Sequence, residues 1–231
     1  MASPSSSTTT AISATATASP VSRSTLTTRS ATIRHAITYA SSLPEVDSSR
    51  IGIWGTSYTG GHVLQVAAID KRVKCVVSQV PVVSGYRNAH RAIAEDRMPE
   101  LLALFAADRQ ARFAGKAPAM APVASLYPEE FSAFPGKNAY DSFQGAPKWT
   151  NQVTLRSLEM FLEHDALSYA DKIGPVPLLM IVEDEDTLAA VDLSLDAYTI
   201  GCPMNIAVVD VGGNLVAHAR MDNARIGAPR N

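Results

Sequence analysis

Four short stretches of the chain are apolar almost without interruption: "RIGIWG" (50–55), "VKCVVSQVPVV" (73–83), "VPLLMIV" (176–182) and "MNIAVVD" (204–210). A strand wet on one face alternates polar and apolar residues. These stretches do not alternate, so they predict strands covered on both faces. Between them the period changes. Ile33, Ala36, Ile37 and Ala40 recur at helical spacing from Arg29 onward and stop before Pro44, and "GGHVLQVAAID" (60–70) predicts a second helix. Further helices are predicted around 87–97, 99–113, 153–170 and 189–198, with a Pro- and aromatic-rich loop region reaching Trp149. "LVAHARMD" (215–222) follows 204–210 across "VGGN", a turn signal that predicts a β-hairpin. Strands alternating with helices require crossover connections. The pattern therefore predicts an α/β fold, a mostly parallel sheet with helices on both faces, a helical lid insertion and a closing hairpin.

Composition refines this at the start of the chain. Seventeen of the first 30 residues are Ser or Thr, and no acidic residue precedes Glu45. Such a segment has little apolar surface to offset its ordering entropy, so residues 1–30 read as a disordered tail; a mitochondrial transit peptide is the alternative, with Arg23, Arg29 and Arg34 among hydroxyl residues. The composition of the whole chain, 46% hydrophobic and 18% charged over 231 residues with a formal net charge of −2, is that of a globular protein, expected in the cytoplasm. Neither a nucleic acid nor a membrane is expected as partner: the charge is near neutral, and no apolar run approaches the ~18 residues of a membrane span. Cys75 and Cys202 read as buried free thiols. No cysteine–histidine spacing predicts a metal site, and no cofactor is expected.

The stretch "GIWGTSYTGG" (52–61) sets Ser57 between a strand and a helix. A serine on so sharp a turn stands at the end of the sheet, and the glycines around it let strand and helix approach. The helix start would favour the negative charge developing on an attacked carbonyl, with the Tyr58 N–H as oxyanion donor. The alternative is a tight turn whose serine only caps the helix. With Thr59 before Gly60, the pattern departs from G-x-S-x-G by one position.

"DSSRIGIWGTSYTGGHVLQVAAIDKRVKCVVSQVPVVSGY" resembles the nucleophile-elbow region of α/β-hydrolases, nearest the dienelactone-hydrolase-like group that includes fungal polyketide thiohydrolases and acyl transferases. "VPLLMIVEDEDTL" is similar to the later strand whose loop carries that family's triad acid, and the resemblance spans 31–198. It implies acyl transfer from a small-molecule ester, thioester or lactone, with Ser57 as nucleophile and Asp186, or else Asp184, as acid. The family has several strands and a second oxyanion loop before the elbow, which this chain lacks, so the hydrolase domain reads as partial. The family's histidine follows the last strand, where this chain has Asn214. "GCPMNIAVVDVGGNLVAHARMDNARIG" (201–227) is similar instead to the opening hairpin of the GlcG/HbpS haem-degrading family, making 199–231 a separate C-terminal segment.

The base is the open question. Among five histidines, His35 and His164 read as surface helix residues, His62 as packed against the sheet, and His90 as part of the insertion. His218 alone follows the acid, in the chain order Ser–Asp–His. Three readings result: a serine esterase or thioesterase using Ser57, Asp186 and His218; a non-catalytic remnant that self-associates through an exposed sheet edge; or a haem-binding C-terminal segment. If 204–210 adds beside 176–182 and the hairpin runs back along the sheet, His218 is carried away from Ser57.

Overall fold

The apolar runs become the strands they predict. The computed structural model describes residues 10–13, 26–144, 149–186, 188–199 and 204–220. Its elements, in chain order, are β1 (Thr10–Ser13), α1 (Leu26–Ser41), β2 (Ile51–Thr56), α2 (Ser57–Ile69), β3 (Val73–Gln79), α3 (Gly85–Ala92), α4 (Met98–Phe113), β4 (Met120–Ala121), β5 (Ala124–Ser125), β6 (Phe134–Pro135), α5 (Lys137–Gln144), β7 (Val153–Thr154), α6 (Leu155–Leu162), β8 (Leu178–Glu183), α7 (Val191–Thr199), β9 (Met204–Val209) and β10 (Leu215–Arg220). Two compact units divide them.

The first unit comprises residues 29–84 and 165 onward, with β1. Its sheet has the order β1-β2-β3-β8-β9-β10, parallel throughout except for the antiparallel pair β9–β10. Ile51 and Ile53 of β2, Val76 of β3, Leu178 and Met180 of β8 and Ile206 of β9 are buried, together with Val63, Leu64 and Val66 of α2, Ile37 of α1 and Leu193 of α7. One core therefore joins the sheet to the helices that cover its two faces. Ser78 is buried within it without loss, because its hydroxyl donates to the Gly60 carbonyl at 2.9 Å.

Two elements differ from the pattern read in the sequence. Within the Ser/Thr-rich start, Thr10–Ser13 form β1, which pairs with β2 in parallel, Thr10 opposite Ile51 through Ser13 opposite Trp54. β-Branched residues suit a strand, and β2 would otherwise present a bare row of backbone groups on that side. The rest of the tail, residues 1–9 and 14–25, lies outside the described residues, as does Cys202. The helix expected over 153–170 ends at Leu162. Tertiary pairing overrides the helical period there, for the Ser84–Asp165 bridge turns the chain back toward β8.

The second unit is the insertion, residues 85–164. Met98, Leu101 and Phe105 of α4 pack with Leu155 of α6 and Ala121 of β4. Gly85 is essential to its closure: a Cβ there would lie 1.7 Å from the Phe161 carbonyl oxygen, and its N–H donates to the His164 carbonyl at 2.7 Å. His164 is accordingly 0% exposed, where a surface position had been expected. Among the described residues no helix is long and apolar enough to cross a membrane.

Candidate active site

β2 ends in an extended Thr56, and the chain enters α2 through Ser57, whose φ is +54°. A left-handed serine carries about 1–3 kcal/mol of strain, which persists only where its surroundings fix it. They do so here. The Ser57 carbonyl accepts the Val82 N–H at 3.0 Å, and the Val80 N–H reaches the Ile181 carbonyl at 2.6 Å, tying the elbow to the ends of β3 and β8. Val80 itself has φ +38°. A β-branched residue in that region is a true outlier, and nothing in "SQVPVV" announced it. Ser57 is exposed at the sheet's carboxyl edge. Tyr58 occupies the first turn of α2, where N–H groups project beyond the helix start. Its ring lies 5.1 Å from the Arg29 guanidinium and 4.5 Å from the His62 ring.

The glycines set the tightness of this turn. A Cβ on Gly55 would lie 2.6 Å from the Thr59 carbonyl oxygen and 2.9 Å from Val63 Cγ1; one on Gly60 would lie 3.0 Å from the Gln79 oxygen. Gly55→Ala must push the first turn of α2 off β2. It is expected to cost about 2 kcal/mol by overpacking and to displace Ser57, which urea titration and serine-directed labelling would register together. Unchanged labelling would mean that the turn tolerates the methyl group.

Asp186 follows β8 by three residues, on the same sheet edge. Its Oδ1 accepts the N–H groups of Leu188 at 2.7 Å and Ala189 at 2.8 Å, so the carboxylate is held by the turn that leads to α7. Asp184 is more exposed, and its N–H donates to the Val209 carbonyl at 3.0 Å. β2 and β8 are separated by β3 alone, about 10 Å at sheet spacing.

His218 is not brought to them. The ladder aligns Thr56, Gln79, Ile181, Ala207 and His218 in one row. The imidazole's backbone thus stands four strand spacings from β2, about 19 Å away, on a strand exposed along its length. The hairpin turn takes the edge position instead. Asp210 accepts the N–H groups of Gly212 and Asn214 and the Asn214 amide, and that amide is the chief cause holding its carboxyl below the usual range. Of the other histidines in this unit, His35 is exposed on α1, and His62 is buried with Nδ1 3.3 Å from Gln65 Oε1. His90 and His164 belong to the insertion, where the His90 ring lies 4.1 Å from that of Tyr86 in a tilted contact.

Known proteins bear on the fold. The fungal relatives include a thiohydrolase of Eupenicillium brefeldianum, 27% identical over 165 residues, covering 68% of this chain and 52% of that protein. The structure of DcsB in complex with its substrate analogue superposes with a TM-score of 0.68 at 25% identity, over 81% of this chain and 64% of the other. The chain carries part of the α/β-hydrolase fold. Within it, the acetyl xylan esterase (AXE1) family model matches residues 31–117. The quorum-quenching protein AidA of Acinetobacter baumannii is 38% identical over 110 residues, covering 48% of this chain and 34% of that protein. The α/β hydrolase GrgF from Penicillium shares the fold, with a TM-score of 0.67 at 22% identity over 81% of this chain and 64% of the other. The chain spans about half the length of the fungal relatives it matches.

Toward the C-terminus, the model of the haem-degrading HbpS-like family matches residues 183–230. The described part of that segment does not fit haem. β10 offers an exposed edge, with Leu215 65% and Val216 57% exposed, rather than walls that could enclose a macrocycle.

Proposed function

We propose that the chain accepts acyl groups from small-molecule esters or thioesters on Ser57, as a hydrolase or acyl transferase with slow turnover. The observation that carries this reading is the strained, exposed serine at a strand-to-helix junction. Strain of this kind is kept where it serves a site. Ser57 Oγ attacks the acyl carbon, the Tyr58 N–H and the α2 start receive the negative charge that develops on the carbonyl oxygen, and the bond to the leaving alcohol or thiol breaks as that group takes up a proton. Water or a second alcohol then takes the acyl group. Asp186 is the acid of this reading and Asp184 its alternative. With His218 four strands away, the serine proton passes to solvent, which keeps turnover low. The test is labelling by a fluorophosphonate alongside hydrolysis of a thioester series: labelling that disappears in Ser57→Ala supports the assignment, and equal labelling of both proteins removes it.

The exposed β10 favours a second reading, in which that edge pairs with another copy of the chain. A shift from dimer to monomer on Val216→Pro, followed by sedimentation, is expected under this reading. A wild-type protein that is monomeric at all concentrations would reject it.

A further inference from the structure

The insertion contains a concave site that the acyl chemistry at Ser57 does not use. It is a cavity of about 360 Å³, bounded by residues of one unit only, between the β5–β6 strand pair and α5. Such a volume falls in the range of small-molecule sites.

Its floor is built and rigid. Ser125 is buried, and its hydroxyl lies 3.1 Å from the Tyr127 carbonyl and 2.9 Å from Ser132 Oγ. The Asn151 amide grips the backbone of Ala124 from both sides, accepting its N–H and donating to its carbonyl, each at 2.8 Å. The floor's polar groups are therefore engaged within the protein. The rest of the lining includes three aromatic residues and one acid. Tyr127, Phe131 and Tyr140 line the cavity, the first 56% and the second 37% exposed. Glu130 is the single charged residue of the lining among the described residues. The neighbouring Arg97 donates to the Glu129 carbonyl rather than to the Glu130 carboxylate.

Three aromatic residues and one acid around a cavity lined by no cation among the described residues form a combination suited to an organic ammonium ion. The rings attract positive charge through their quadrupoles, and the carboxylate adds a Coulomb term that a neutral ligand does not feel. We propose that this cavity binds an organic cation bearing a methylated or primary ammonium group, held by Tyr127, Phe131, Tyr140 and Glu130. The proposal is independent of the reading of Ser57, since it concerns a different unit and different residues.

Choline and its uncharged isostere 3,3-dimethylbutan-1-ol are the probes, titrated against the full chain by ligand-observed NMR. Choline is expected to bind about tenfold more tightly than the isostere. Glu130→Gln should weaken choline at least threefold and leave the isostere unchanged. Tyr127→Ala should weaken choline as well. Glu129→Gln removes the same charge one residue away, outside the lining, and should change neither. Melting curves matching the wild type would show that each variant is folded. Equal affinity for choline and isostere would identify an apolar pocket and overturn the proposal. So would the absence of saturable choline binding, or an equal loss in Glu129→Gln, which would reduce the effect to net charge.

Discussion

Ser57→Ala is expected to abolish labelling by a fluorophosphonate, at least a hundredfold below wild type, while leaving the melting temperature within a degree or two, since a surface serine contributes little packing. Ser57→Gly separates strain from chemistry. Glycine adopts φ +54° at no steric cost, so this variant should also lose labelling yet gain about 1 kcal/mol of stability. Both are measured on the same samples by in-gel fluorescence and thermal melts. A glycine variant less stable than wild type would show that the serine is not strained in solution. Retention of labelling in either variant would move the nucleophile elsewhere.

The second large effect is expected within the insertion. The carboxylate of Asp108 on α4 is 1% exposed, with Oδ2 receiving Arg112 Nε at 2.7 Å and Oδ1 receiving the Ala119 N–H at 2.7 Å. Arg112 reaches on to Glu159 of α6, which also pairs with Arg109. Asp108→Ala would strand a guanidinium and a backbone donor together. Truncating one partner of a buried pair costs about 3–5 kcal/mol. Arg112 keeps Glu159 and some solvent, which places the expected loss near 3 kcal/mol. Asp108→Asn should lose less, because it still accepts from Ala119. Urea unfolding followed by circular dichroism reads both, and a loss under about 1 kcal/mol for the alanine variant would contradict the account.

The sheet was largely legible in the sequence because parallel strands covered by helices favour unbroken apolar runs. The run at 73–83 contains β3, the run at 176–182 covers β8 up to Val182, and "VGGN" marks the turn between β9 and β10. The elbow was legible for a related reason: small residues at 52, 55, 60 and 61 are what a strand and helix in close contact require. β1 was not legible, because four residues pairing with an existing edge have no period of their own, and their setting is dominated by Ser and Thr. His164 was missed because its burial depends on contacts with Gly85 and Phe161, the former distant in sequence. Ser57 and Asp186 share an edge as strand order alone implies. The distance to His218 depends on the ladder's register, which only the pairing partners supply.

The meeting of the insertion's two ends bears on how the chain reaches its fold. β8 must find β3 across roughly a hundred intervening residues, and closing so long a flexible loop carries a large entropic cost that grows with the logarithm of its length. The Gly85–His164 hydrogen bond and the Ser84–Asp165 bridge bring the flanks of that segment side by side. Once residues 85–164 have collapsed on their own core, the two strands are joined by a short effective tether. The topology therefore favours a folding order in which the insertion condenses before the central pair of the sheet closes, and early hydrogen-exchange protection in residues 85–164 is the expected sign of it.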